Sequence, residues 1–551
     1  MAPVGSCGVR MHGRSFEAQV DPRRSARTPT LGRAQATRRS FARHNVPMVV
    51  DPPLQDASQA DLPAGAGTTM PDDRSRVLAA RLRSLLVWAG LVTLVAMTLL
   101  AAAHLVADVW AVRVVRIRLI PVVLLSVAGL GLALLVAWLA GATRRREILA
   151  VAIGFAVLVA VRVFVSAEFD GPKGGEPGTY AKAAASLLTP EWDLIGRPMG
   201  YTLALAGSFV FTPDRQLATE VLNLLLAILA GAVVLGMARG LYGPRTGALA
   251  LLGYAVWPAA ALMTVVSIPQ IAFDLAVVAA AWVSVATPPG WRGGALMGAL
   301  LGASQYLRPT APFLMPAYIL ARLWPGGSWR TLVGAVVVPI IAFLVVLMPV
   351  VIYNLDRTGS PSISTSDYGG HVLYQGTYEP SGGTFSAKAH RELVAIAGPD
   401  PLDWGRVGTE IAFQRIREDP IGMVALGIRK QDTLWGTEHY GVQYGIDRTM
   451  QNRPAATAAT VPMLLSQGFY VLVLLSAAAG LWLRRRQPDA LVPLAITMVW
   501  IVSALHAVLE VRDRHHSYVI PLLLPLSALA FARAYEWAGG WAAQRRASAP
   551  T

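Results

Sequence analysis

Four clusters of charged and aromatic residues interrupt a largely apolar chain. The first reads Glu168-Phe169-Asp170-Gly171-Pro172-Lys173-Gly174-Gly175-Glu176-Pro177-Gly178-Thr179-Tyr180. Its carboxylates follow an apolar block directly, a position from which Glu176 or Asp170 can act as a base or bind a cation near a lipid surface. The Ala-rich run after Thr179 reads as a short helix; a plain solvated loop with a capped helix fits the same residues. The second cluster is Gly196-Arg197-Pro198-Met199-Gly200-Tyr201. Arg197 suits a phosphate, because a guanidinium offers two parallel hydrogen bonds; alternatively Arg197 and Tyr201 anchor the chain at an interface. The third is Arg308, set between two apolar stretches and followed by Pro309. A charge at such depth must face a polar cavity or partner, and the backbone freed by proline can line that cavity, unless Arg308 snorkels to the near interface. The fourth is Glu510-Val511-Arg512-Asp513-Arg514-His515-His516. Adjacent histidines fit no helical ligand spacing, so no metal is expected; Arg514 and His515 suit a phosphate or sugar.

These clusters need a frame, and the composition dictates which. Hydrophobic residues make up 54% of 551 positions, charged residues 15%, and mean hydropathy is +0.48. Soluble domains carry roughly 25% charged residues to face water. Apolar blocks lie near 84–108, 119–140, 147–166, 216–238, 245–263, 266–286, 330–353, 461–483, 489–510 and 516–536. Several reach the roughly 20 residues that cross a bilayer as a helix. Two further stretches, 199–212 and 294–321, are short or interrupted. The expected fold is an all-α polytopic membrane protein with about 10–12 transmembrane helices, short or broken ones included, plus external loops and a small external domain.

Arginine placement orients the spans. With the N-terminal tail inside, Arg144–Arg146, Arg239 and Arg245, Arg292, Arg322 and Arg330, Arg484–Arg486, and Arg545 and Arg546 all fall on the cytoplasmic side. That follows the positive-inside bias and requires 294–321 to be a pair of half-helices broken at Arg308-Pro309. Only Arg113, Arg116 and Arg118 face outward. The expected organisation is a disordered basic tail over 1–80, with Met48 and Met70 as alternative starts. A transmembrane region over 81–353 with a first external loop at 167–198 comes next. An external polar domain over 354–460, C-terminal spans over 461–536 and a cytoplasmic tail over 537–551 complete the chain.

The formal charge of +15 does not indicate nucleic acid, since aromatic residues are not interleaved with the basic ones. The single cysteine, Cys7, excludes an intramolecular disulfide and a cysteine metal cluster. Polar mass gathers on one face, and no internal repeat of the kind many transporters show is evident.

In their order the clusters resemble the bacterial GT-C glycosyltransferases, the branch that includes protein O-mannosyltransferases and the lipid A aminoarabinose transferase. The resemblance covers roughly 165–535 and rests on Glu176 four residues before Tyr180, then Arg197-Pro198-Met199-Gly200-Tyr201. The basic turn Arg239–Arg245, Trp257-Pro258, Leu307-Arg308-Pro309-Thr310, Tyr353–Gly359 and Arg514-His515 continue it. Two departures stand out: Glu176 occupies a position where the family usually has Asp, and Gln270 one where many members have Glu, with Asp274 a helical turn on.

The resemblance implies transfer of a sugar from a polyprenyl-phosphate donor to a lipid, glycan or protein acceptor outside the plasma (inner) membrane of a bacterial cell. Glu176 or Asp170 would be the base. Arg308, Arg514 and Arg197 would hold the leaving phosphate, with Tyr180, Tyr201 and His515 nearby. No cofactor is called for, although the resemblance leaves room for a divalent cation. Tyr368, Tyr374, Tyr378, Trp404, Trp435 and Tyr440 would shape an acceptor site or simply pack a domain core. Other readings of the same residues are a transporter or flippase of a lipid-linked saccharide, and a non-catalytic envelope scaffold favoured by the two departures.

Overall fold

The computed structural model describes residues 73–112, 119–141, 143–172, 174–189, 197–326, 328–447 and 459–547. The expected tail up to residue 72, the outward-facing Arg113, Arg116 and Arg118, and part of loop 167–198 lie outside the described residues.

The described chain is helical, with no strand. Its first half holds α1 (Asp73–Val112), α2 (Leu119–Ala140), α3 (Arg144–Glu168), α4 (Gly175–Ser186), α5 (Met199–Phe209), α6 (Arg215–Tyr242), α7 (Pro244–Val256), α8 (Pro258–Leu262), α9 (Gln270–Ala286), α10 (Trp291–Gln305) and α11 (Ala311–Leu323). Then come α12 (Trp329–Leu332), α13 (Val338–Thr358), α14 (Gly369–Gly376), α15 (Ala387–Ala397), α16 (Pro401–Glu418), α17 (Pro420–Trp435) and α18 (Tyr440–Val442). The last three are α19 (Thr460–Arg484), α20 (Leu491–Val508) and α21 (Ile520–Ala547), the last preceded by a 3₁₀ turn, Asp513–Val519. Eight of the described helical stretches are long and apolar enough to cross a membrane, and a bent pair makes a ninth candidate. The chain is an all-α, multi-pass membrane protein.

The helix ends follow local chemistry. Asp214 caps α6 by accepting from the N–H groups of Gln216 and Leu217, satisfying donors the helix cannot. Gly359, in the left-handed region at φ 71°, ends α13. The block 245–263, read as one continuous crossing, is broken instead: α7 and α8 meet at a 53° bend. Pro258 has no N–H to give the preceding turn. Helix α9 starts only at Gln270 and is 17 residues long, short of a full crossing. At the C-terminus the helix does not stop near 536 but runs to Ala547, helped by the i,i+3 pair Arg533–Glu536 at 2.9 Å.

Stretch 294–321 forms the expected broken pair. Arg322, at the end of α11, donates to Thr287 Oγ1 at 3.0 Å and to the carbonyls of Pro288 and Gly290, each at 3.1 Å. The end of α11 therefore returns to the start of α10, leaving Arg308 at the far tip. Gly294, Gly298 and Gly302 recur every fourth residue on α10; a Cβ on Gly294 would collide with Gly334 just before α13, and one on Gly298 or Gly302 with Pro339 or Val346 of α13 itself. Small residues at this spacing let two helix backbones touch where no hydrophobic drive separates protein from lipid.

Side-chain bonds sort the turns into two ends. At one, Arg83 donates to the Trp324 carbonyl (2.8 Å), Trp324 to the Pro488 carbonyl (2.9 Å), and Tyr242 to Asp489 (2.9 Å). Arg239 pairs there with Glu147 (2.8 Å) and Arg245 with Glu536 (2.6 Å). At the other end His104 meets Asp432 (2.9 Å), His439 meets Asp108 (3.1 Å), and Arg514 meets Glu176 (2.7 Å). The basic turns expected to share one side do share it. Helices α14–α17 belong to the Glu176 end, where Tyr374, Tyr378, Ala389 and Leu393 build a small core of their own with Trp404 against it. Trp435 and Tyr440 are buried in the main core instead.

Candidate functional site

Glu176 stands in the first turn of α4, entered through Gly175 at φ 64°. Its side chain is 23% exposed. Oε2 accepts from Arg514 Nη1 at 2.7 Å and from the Tyr444 hydroxyl at 3.2 Å. Oε1 lies 3.7 Å from Arg197 Nη1. Arg512 donates to the Tyr444 hydroxyl at 3.2 Å and to Glu510 at 3.0 Å, extending the charge network past Glu176. Arg197 lies over two rings, 5.4 Å from the centre of Tyr180 and 5.2 Å from that of Tyr368.

Arg308 reaches the same region from the tip of the α10–α11 hairpin. It donates to Gln270 Oε1, while Gln270 Nε2 donates to Asp274 (2.8 Å) and contacts Ser517. Ser517 also donates to Asp274 at 3.1 Å. The amide at 270, one of the two departures noted in the sequence, thus has a physical role. It accepts from a cation and donates to a buried carboxylate, which one carboxylate cannot do.

The turn that carries Arg514 is pinned from below. Asp513 accepts from the backbone N–H groups of His439 and Arg514, each at 2.9 Å. Fully buried His516 pairs with fully buried Glu438, which also accepts from Trp257 Nε1 at 2.8 Å. The His516 ring is stacked between Trp435 and Tyr470, with centroids at 5.5 and 4.8 Å. Its neighbour His515 stacks on His506 at 4.2 Å, and its Nδ1 accepts the Arg512 N–H at 3.2 Å. A ring accepting at Nδ1 is neutral in that geometry and carries its proton on Nε2.

Burial alone would raise the Glu176 carboxyl, but Arg514 above all, then Arg197 and Arg308, outweigh it and hold the group down at about 2. In the α14–α17 region, burial, with the His390 and Arg197 charges beside it, pushes His371 down to about 4.

The structure therefore gathers Glu176, Tyr180, Arg197, Arg308, Arg514 and His515 at one end. It does not bring every sequence candidate to the cluster. Asp170 is exposed, beside a Gly171 packed against Gln216 and the Val265 carbonyl, and it shares the neighbourhood of Glu220 rather than of the arginines. Tyr201 is fully buried, with its hydroxyl donated to Asn223 at 3.1 Å, so it supports α5 from within. Participants not picked out as site residues from the sequence include Tyr444, Arg512 and Asp274. Arg512 sits two residues before Arg514 in a charged turn, a signal that was there to read. Tyr444, in Val442-Gln443-Tyr444-Gly445, carries none.

Charge defines what the cluster can bind. Arg197, Arg308, Arg512 and Arg514 face the carboxylates Glu176, Asp274 and Glu510, leaving positive charge in excess. Arg197 Nε and Arg514 Nε are buried without an acceptor, as are Arg162 Nε and Arg322 Nε away from the cluster. A phosphate answers that excess charge.

No protein-family pattern matches the sequence, and no curated protein matches it. Among solved structures, the chain is similar to an archaeal oligosaccharyltransferase, AglB from Archaeoglobus fulgidus, in complex with an inhibitory peptide and a dolichol-phosphate. The overlap has 12% identity and a TM-score of 0.45 and covers 74% of this chain. This chain spans only about half (52%) of that protein's length. It is also similar to ArnT from Cupriavidus metallidurans bound to undecaprenyl phosphate, with 11% identity and a TM-score of 0.32, over 70% of this chain and 77% of that one. Both scores lie below 0.5, so a reading of function rests on the geometry of the cluster itself.

Proposed function

We propose that the chain is a membrane glycosyltransferase of the GT-C type. It moves a sugar from a polyprenyl-phosphate donor to an acceptor hydroxyl at the outer face of a bacterial plasma membrane. The observation that carries this reading is the convergence of Arg197, Arg308 and Arg514 on Glu176.

The arginines take the donor phosphate through charge-assisted hydrogen bonds and stabilise the charge that builds on it as it leaves. Glu176 removes the acceptor hydroxyl proton. The acceptor oxygen then attacks the anomeric carbon, and the bond from that carbon to the phosphate oxygen breaks with its electron pair on the phosphate. Direct displacement inverts the anomeric centre. Paired to Arg514 and held at about 2, Glu176 is a weak base in the resting site. A phosphate that takes over Arg514 removes the main cause of that depression, so the donor itself readies the base. Asp170 remains the second candidate for the role, on the strength of its place at the end of α3.

One observation favours another reading. A carboxylate this firmly paired needs no catalytic duty, and a lipid-phosphate carrier would use the same arginines without a base. Purified protein, offered radiolabelled polyprenyl-phosphate sugars, separates the two. Transfer or hydrolysis that Glu176→Gln or Asp170→Asn abolishes in a folded protein supports the enzyme. Donor binding without any turnover supports the carrier.

A further inference from the structure

The end of the molecule opposite Glu176 carries a repeated pairing that sugar transfer does not use. Trp291-Arg292 opens α10 and Trp329-Arg330 opens α12. In both, the guanidinium lies near the face of the preceding indole, 5.3 Å and 5.7 Å from its centre. The two openings are neighbours: a Cβ on Gly334, just past α12, would come within 3.0 to 3.2 Å of the Gly290 and Trp291 backbone. Trp291 is 65% and Trp329 70% exposed, and both arginines are exposed.

Neither arginine is committed elsewhere. The acids of this end are already engaged: Glu147 with Arg239, Asp489 with Arg484, and Glu536 with Arg245 and Arg533. Arg292 and Arg330 have no carboxylate partner among the described residues. Beside Trp329 lies an open cleft of about 320 Å³, lined by apolar Leu323 and Leu332 and by the hydroxyl residues Ser328 and Thr331. The same Trp–Arg pairing recurs around this end, with Arg146 over Trp138 at 4.7 Å and Arg485 over Trp482 at 3.9 Å.

Exposed indoles belong at the headgroup level of a bilayer, and unpaired arginines beside them attract anionic lipid. The geometry points to a site for one anionic phospholipid: Arg292 and Arg330 take its headgroup phosphate, and an acyl chain lies along Leu323 and Leu332. A soluble phosphate would use the arginines but not the apolar wall, and a zwitterionic lipid would use the wall but leave two cations unmatched.

The experiment uses the full chain in nanodiscs containing phosphatidylcholine with a minor fraction of brominated phosphatidylglycerol, or the same fraction of brominated phosphatidylcholine. Bromine quenches indoles it touches. The phosphatidylglycerol probe is expected to quench more at equal content, reflecting a preference of up to roughly 30-fold for two arginines. Trp329→Phe should remove most of that difference, which locates it at this cleft. Arg292→Gln/Arg330→Gln should equalise the probes. If the double variant does not fold, unlabelled phosphatidylglycerol should relieve quenching of the unaltered chain where phosphatidylcholine does not. Equal quenching by both probes, or a difference that survives Trp329→Phe, overturns the site. Relief by glycerol phosphate alone overturns the lipid assignment. No sugar donor is involved, so the outcome is independent of the transferase reading.

Discussion

Arg514 Nη1 donates to Glu176 Oε2 at 2.7 Å, joining residues 338 positions apart in the chain. The bond closes the site end of the molecule, because α4 follows the third apolar helix while Arg514 precedes the last. It also sets the resting state of the proposed chemistry, with the base held by the cation that the donor phosphate is to claim.

Replacing Glu176 by Gln removes the base and frees Arg514. Transfer should fall by about 10²- to 10⁴-fold, the usual contribution of a positioned base, while donor affinity stays level or rises. Initial rates and donor binding measured on the same preparation check this. A variant that retains full turnover moves the base to another residue, with Asp170→Asn the next to test.

Arg514 is predicted to act through geometry as well as charge. Arg514→Gln should weaken donor binding about 10- to 100-fold, the range for a lost hydrogen bond to a charged group. Arg514→Lys should recover only part of that, since an ammonium cannot offer the paired donors of a guanidinium. Full recovery in the lysine variant would reduce the role of Arg514 to a point charge.

Gln270→Glu tests the bridge between Arg308 and Asp274. The new carboxylate would satisfy Arg308 yet repel Asp274, to which the amide now donates at 2.8 Å. Two carboxylates in one buried site do not both ionise readily. Donor affinity should drop by about tenfold as Arg308 is neutralised, visible as a raised donor KM with kcat less affected. An unchanged KM would remove Arg308 from the phosphate site.

Acid should destabilise the protein in two separate windows. The neutral form of His371 is favoured in the folded state, so its contribution is complete above 6.5 and fades as pH falls towards about 4. Glu176 is held in its charged form, so its contribution is complete above 4.5 and fades as pH falls through about 2. Thermal unfolding in detergent across pH checks both. His371→Gln should flatten the upper window and leave the lower one, whereas an unchanged upper slope would assign that window to other groups.

Much of this arrangement was legible in the sequence, for a physical reason. Apolar block length and arginine placement are set by the bilayer, so the long spans and the grouping of basic turns at one end could be read without a structure. The hairpin broken near Arg308-Pro309 followed from the same parity. Breaks set by backbone chemistry were harder: the 53° bend at Pro258 lies inside a block of uniform hydropathy, and α9 begins only after Pro269. Within the site, charges placed at great cost in apolar surroundings, such as Arg308, announced themselves. Tyr444 did not, because its meaning comes from the fold that lays it between Glu176 and Arg512. Tyr201 misled, because a tyrosine beside Arg-Pro looks interfacial and is instead buried against Asn223.

The central claim, that the arginines hold a lipid phosphate for a base at Glu176, is tested most directly by comparing donor binding and sugar transfer in Glu176→Gln and Arg514→Gln. Purified, folded protein and a radiolabelled polyprenyl-phosphate sugar suffice. Glu176→Gln should bind donor and transfer about 10²- to 10⁴-fold more slowly, while Arg514→Gln should bind donor about 10- to 100-fold more weakly. Transfer undiminished in Glu176→Gln, or donor binding untouched by Arg514→Gln, would contradict the claim.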